Sequence, residues 1–121
     1  MTDEEIFERA VAVAERAYAP YSHFHVGAAV LTRDGQIFEG VNVENAAYPL
    51  GVCAERSALA AAVTGGYKPG RLEAIGITAS PCGGCRQWLV EFGFDRVTYA
   101  RGDGEVVTTT PADLLPDTFE L

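Results

Sequence analysis

The chain has 121 residues, 48% of them hydrophobic, and a formal net charge of -8. That length suits one domain, residues 1–121, and excludes two with separate cores. The nine Lys and Arg residues are scattered without a run, which argues against a nucleic-acid partner, and no apolar stretch approaches the roughly 20 residues that span a bilayer.

Thr2 with Glu5 three residues on predicts a capping box. Ile6, Phe7, Ala10, Val11, Ala14, Ala17 and Tyr18 then recur at helical spacing, so the first helix is expected to run to about Tyr18. Strand-like runs follow at His25 to Thr32 and Gln36 to Val43, joined by the turn Arg33-Asp34-Gly35. A loop covers Glu44 to Val52. A second helix begins near Cys53 and ends at Gly65-Gly66. It has almost no polar face, which predicts burial all round, against the sheet, against another subunit, or both. The third strand spans Leu72 to Ala79. The third helix starts within Pro81-Cys82-Gly83-Gly84-Cys85 and stops at Gly93. Strands at Arg96 to Ala100 and Glu105 to Thr109 flank a turn too short for a parallel crossover, so they pair antiparallel. Thr110-Pro111 opens a short last helix. The order predicts an α/β fold with a five-stranded mixed sheet between helices.

The sequence has three cysteines, all in two patches: Cys53-Ala54-Glu55 and Pro81-Cys82-Gly83-Gly84-Cys85. An odd count in metal-type spacing is no disulfide framework and points to a reducing compartment. With an acidic start and no apolar secretory core behind it, the expectation is a cytoplasmic protein. Cys82 and Cys85 stand i, i+3 at a helix start, and Cys53 opens another helix, so two helix N-termini favour thiolates. Three protein ligands leave a tetrahedral zinc one open position, as catalytic sites do. The competing readings are a redox pair, which leaves Cys53 and Glu55 unexplained, and a non-enzymatic structural zinc module, which needs a fourth ligand that His23 or His25 could supply.

Cys-x-Glu at a helix start followed by Pro-Cys-x-x-Cys resembles the zinc-dependent deaminase superfamily. With Phe24-His25-Val26-Gly27-Ala28-Ala29, Asn42-Val43-Glu44-Asn45, Cys53-Ala54-Glu55-Arg56, Pro81 to Gln87, and the trailing Leu114-Leu115-Pro116 and Phe119, the chain resembles the cytidine deaminases of nucleoside salvage over nearly its whole length. The resemblance implies a three-layer α/β/α fold and hydrolysis of cytidine and 2′-deoxycytidine to the uridines and ammonia. It implies one zinc per subunit on Cys53, Cys82 and Cys85, with Glu55 as proton shuttle. Arg56, with Gln87 assisting, would withdraw charge from the sulfurs. Asn42 and Glu44 would hold the ribose, Phe24 would pack on the pyrimidine, and the Ala54 N–H would meet the base carbonyl. Tyr48 and Phe119 would reach a neighbour's pocket in a homotetramer with shared sites. The sequence departs from the family in a shorter approach to Pro81, which bears on substrate choice. Relatives acting on another aminated nucleoside, on a blasticidin-like antibiotic, or on nucleic acid are the alternatives within the superfamily.

Overall fold

A computed structural model describes all 121 residues. Five strands form one sheet in the order β2-β1-β3-β4-β5. They are β1 (Gly27–Thr32), β2 (Ile37–Val41), β3 (Leu72–Ile77), β4 (Arg96–Ala100) and β5 (Val106–Thr109). Only β3 and β4 run parallel; β4 pairs antiparallel with β5, as the short turn requires. Helix α1 (Asp3–Val13) covers one face, and α2 (Ala54–Thr64) and α3 (Gly83–Phe92) cover the other; a last short helix, α4 (Pro111–Leu114), packs by α3. The three-layer α/β/α arrangement with a mixed sheet is therefore present.

Strand alternation divides the core. Ala28 and Val30 of β1 join Ile75, Ile77, Leu59 and Leu89 on the α2–α3 side, while Ala29, Leu31 and Ala74 meet Ile6 and Ala10 of α1. Each fully buried Val, Leu or Ile side chain contributes about 1.5–3 kcal/mol of transfer free energy. Gly40 lets α2 approach β2 closely: a Cβ there would stand 2.2 Å from the Ala58 nitrogen. This contact seats the first turn of α2 against the sheet.

Several boundaries are tighter than the sequence periodicity predicts. The capping box at Thr2 and Glu5 is complete, but α1 ends at Val13 and one 3-10 turn, Ala14–Arg16, follows. Tyr18 leaves the helix because its N–H donates to the Asn42 carbonyl at 3.1 Å and its carbonyl accepts from the Glu44 N–H at 2.8 Å. Backbone pairing with a distant segment thus overrides the helical repeat. β1 starts at Gly27 rather than His25, and β3 ends at Ile77 rather than Ala79. Within the single chain the second helix is buried on one side only. Ala54, Glu55, Ala58, Leu59 and Ala62 are buried, whereas Ala60 and Val63 face outward. They line an open groove with Trp88 and Phe92 of α3. No helix is long and apolar enough to cross a membrane.

Candidate active site

The N-termini of α2 and α3 meet beside the ends of β1, β2 and β3. The Val43–Val52 bridge brings the chain back toward the end of β2 just before Cys53, and the Gly27 N–H donates to Thr78 Oγ1 at 3.0 Å, joining the start of β1 to the exit of β3. Cys53 is the N-cap of α2, and its side chain makes no capping bond. Cys82 is the N-cap of α3, where its sulfur accepts from the Cys85 N–H at 3.4 Å. The sulfurs of Cys82 and Cys85 are 3.3 Å apart. All three cysteines are free thiols, and their sulfurs lie within 4.8 Å of one another.

Helix N-terminal dipoles favour negative charge at such positions. The neighbouring Cys85 thiol pulls Cys53 down to about 6, while Cys85 is itself pushed up, first by its bond to Cys53 and then by burial. Three convergent sulfurs at two helix N-termini fit a zinc ion with one position left open. No other His, Cys, Asp or Glu belongs to the cluster, so Glu55, His23 and His25 stand outside it. Within the chain, no fourth side chain joins the three sulfurs.

Glu55 follows Cys53 by two residues and is only 4% exposed. Burial pushes its carboxyl above the ordinary value of 4.5. Arg56 lies against Gly84, between the two cysteines of α3, with its guanidinium 5.9 Å from the centre of the Trp88 ring. Its Nε is buried without a hydrogen-bond partner, and the charge on all three cysteines acts on it.

A cavity of about 340 Å³ opens in front of the sulfurs. Of the residues singled out from sequence, Phe24, Asn42, Glu44, Tyr48, Cys53, Ala54, Glu55 and Cys82 line it; Ser22, Val26, Ala79 and Ser80 complete the wall. No Lys or Arg is among them. Asn42 and Glu44 already have protein partners. Asn42 Oδ1 accepts from the Val26 N–H at 2.8 Å, and its Nδ2 donates to the Phe24 carbonyl at 2.8 Å. Glu44 Oε1 accepts from the Tyr21 and Ser22 N–H groups at 3.0 and 3.1 Å, and Oε2 accepts from the Ser22 hydroxyl. The Ser22 hydroxyl also accepts from the Phe24 N–H at 3.0 Å. The segment carrying Phe24 is thus pinned by the two polar side chains beneath it.

Gln87 and Phe119 sit elsewhere. The Gln87 amide donates to the Phe119 carbonyl at 3.4 Å and to no sulfur, because the tail returns across α3. Phe119 is 71% exposed and outside the cavity wall, while Tyr48, at the wall, is 90% exposed and projects from it. Sequence reasoning missed Ser22, whose one signal is its place two residues before Phe24, and gave Arg86 no role although it follows Cys85 directly.

Three convergent cysteines, a buried carboxyl and a small cavity on an α/β/α scaffold define a metal-dependent hydrolase site. Residues 1–101 match the family model described as the cytidine and deoxycytidylate deaminase zinc-binding region. A probable cytidine deaminase of Dictyostelium discoideum is 43% identical over 130 aligned positions, covering 98% of this chain and 86% of that relative. The cytidine deaminase of Sporosarcina psychrophila is 41% identical, covering 98% and 92%. The crystal structure of cytidine deaminase from Burkholderia pseudomallei superposes with a TM-score of 0.91 at 46% identity, covering 98% of this chain and all of that one. The chain belongs to the cytidine and deoxycytidylate deaminase zinc-binding family, and the sulfur cluster fits the zinc that the family binds.

Proposed function

We propose that the protein is a zinc-dependent enzyme that hydrolyses cytidine and 2′-deoxycytidine to uridine and 2′-deoxyuridine, releasing ammonia. The observation that carries this is the buried Glu55 beside three convergent sulfurs at a cavity of about 340 Å³. The volume suits a small ligand. A wall free of Lys and Arg, with Glu44 in it, favours a nucleoside over its 5′-phosphate.

Cys53, Cys82 and Cys85 would hold the zinc. When bound, zinc supplies the Lewis acidity that makes water a nucleophile near neutral pH. Glu55 does the proton work on the protein side. Its carboxylate accepts a proton from the attacking water and hands it to ring N3; it then takes the proton of the new C4 hydroxyl and gives it to the amino group, so that the C4–N bond breaks with ammonia leaving and the C4 carbonyl forming. A pKa raised by burial suits a group that must both take and give a proton. Free N–H groups of the first turn of α2, Ala54 among them, would meet the base carbonyl oxygen. Phe24 would cover the ring, and the spare lone pairs and N–H of Glu44 and Asn42 would take the sugar hydroxyls. The Arg56 guanidinium would draw charge from the sulfurs.

The reading assigns residues 1–121 to one deaminase domain acting in cytoplasmic pyrimidine salvage. It also includes a homotetramer with shared sites. The exposed Tyr48, the exposed Phe119 and the apolar groove of Val63, Trp88 and Phe92 support this association.

A panel of nucleosides and nucleotides, followed by ultraviolet absorbance with zinc-loaded protein, tests the reading. Cytidine and deoxycytidine turn over, and deoxycytidylate turns over far more slowly. No nucleoside turnover with zinc confirmed bound would sink it.

A further inference from the structure

We propose that Arg86 is a positioning residue that ties the metal-binding loop to the C-terminal tail. Its Nε donates to the Pro81 carbonyl at 2.9 Å, its Nη1 to the Leu114 carbonyl at 3.0 Å, and its Nη2 to Ser80 Oγ at 3.4 Å. Pro81 immediately precedes Cys82, and Leu114 is the last residue of α4, where the tail departs. Gln87, the next residue of α3, donates to the Phe119 carbonyl farther along that tail. Two consecutive side chains, directly after Cys85, therefore hold the tail at two points.

A guanidinium suits this task because its planar fork directs five N–H donors toward separate acceptors. Charge-assisted bonds to carbonyls are stronger than neutral ones. The Pro81 carbonyl fixes the orientation of the peptide leading into Cys82, so a displaced tail would loosen the placement of that sulfur. The coupling is reciprocal: a loop fixed by metal holds Arg86 in place, and Arg86 then holds the tail. The inference rests on the reading of Cys53, Cys82 and Cys85 as zinc ligands.

The test compares Arg86→Gln and Arg86→Lys with the wild type, using two readouts that need no turnover. One is zinc affinity by competition with a chromophoric chelator. The other is the rate at which carboxypeptidase releases residues from the zinc-loaded protein. Both variants are expected to keep the wild-type circular dichroism, to bind zinc about tenfold more weakly, and to release the tail several times faster. The Michaelis constant for cytidine should rise more than turnover falls. Wild-type zinc affinity and tail release, with only a lower melting midpoint, would show a purely structural arginine and overturn the proposal. If Arg86→Gln does not fold, Arg86→Lys decides by the same two readouts. Wild-type turnover of cytidine is measured alongside. Its absence, with both Arg86 effects present, would sink the substrate reading and uphold the clamp.

Discussion

Asn42 holds Phe24 by its backbone, donating from Nδ2 to the Phe24 carbonyl at 2.8 Å while Oδ1 accepts from the Val26 N–H at the same distance. A residue assigned to the sugar is thus also the anchor of the ring assigned to the base. Asn42→Ala removes both bonds and leaves the N–H of the buried Val26 without that partner. Unfolding in urea should show a loss of about 1–3 kcal/mol, together with a higher Michaelis constant for cytidine. Asn42→Asp keeps the acceptor and loses the donor, so its stability should fall between. An Asn42→Ala protein of wild-type stability would show that the anchor is not needed.

Ser22 acts on the neighbouring carboxylate. Its hydroxyl is the main cause holding Glu44 below the ordinary value of 4.5, with the Ser22 and Tyr21 N–H groups adding to it. A depressed carboxyl in the folded state binds fewer protons than in the unfolded state. Its stabilising effect is therefore full above the unfolded value and is lost as pH falls through the folded one. Ser22→Ala narrows the gap between the two. Melting midpoints measured from pH 7 down to about 3.5 should show a weaker dependence on acid for Ser22→Ala than for the wild type. Parallel curves would reject the assignment.

Glu55 and the zinc can be separated. Glu55→Gln keeps the size of a side chain that is only 4% exposed and removes its proton chemistry. Zinc content should remain near one per chain while turnover drops by about 10²–10⁴-fold. Stripping zinc with a chelator should do the opposite at the cysteines. All three, free of disulfides, should become reactive toward a thiol reagent, and the melting midpoint should fall, since a ligand that binds only the folded state stabilises it. A Glu55→Gln protein with full activity, or a chelated protein with unchanged thiol reactivity, would contradict the corresponding assignment.

The elements legible in the sequence are those whose signals are local. Thr2 and Glu5 announce the first helix start, Gly93 the end of the third helix, and the short turn after Ala100 the antiparallel β4–β5 pair. The cysteine spacing carries the metal site for the same reason, since two helix starts and one Cys-x-x-Cys turn determine most of its geometry. What the sequence does not convey depends on partners far along the chain. Tyr18 leaves its helix to pair with Asn42 and Glu44. Asn42 and Glu44 share one side of an extended segment, as alternation predicts, yet their hydrogen bonds go to the 21–26 loop, which no spacing rule links to them. Gln87 turns to the tail rather than the sulfurs for the same reason: the tail crosses α3 only in the folded chain.

Gly40 is a close-approach glycine in β2, and its replacement separates packing from backbone strain. A Cβ at Gly40 would lie 2.2 Å from the Ala58 nitrogen and 2.8 Å from the Ala54 carbonyl oxygen, both backbone atoms of α2. Neither can rotate away, so the helix must shift as a body. Gly35, in the β1–β2 turn, has nothing within 4 Å but a φ of +91°. Gly35→Ala therefore costs only backbone strain, about 1–2 kcal/mol, and leaves the site untouched. Gly40→Ala should cost about 1–3 kcal/mol or more through overpacking. It should also lower activity, because the displaced turn of α2 carries Cys53, Ala54 and Glu55. Urea unfolding and cytidine turnover on the two variants give the comparison. Equal activity in both, after correction for the folded fraction, would mean that the Gly40 contact does not seat the catalytic turn.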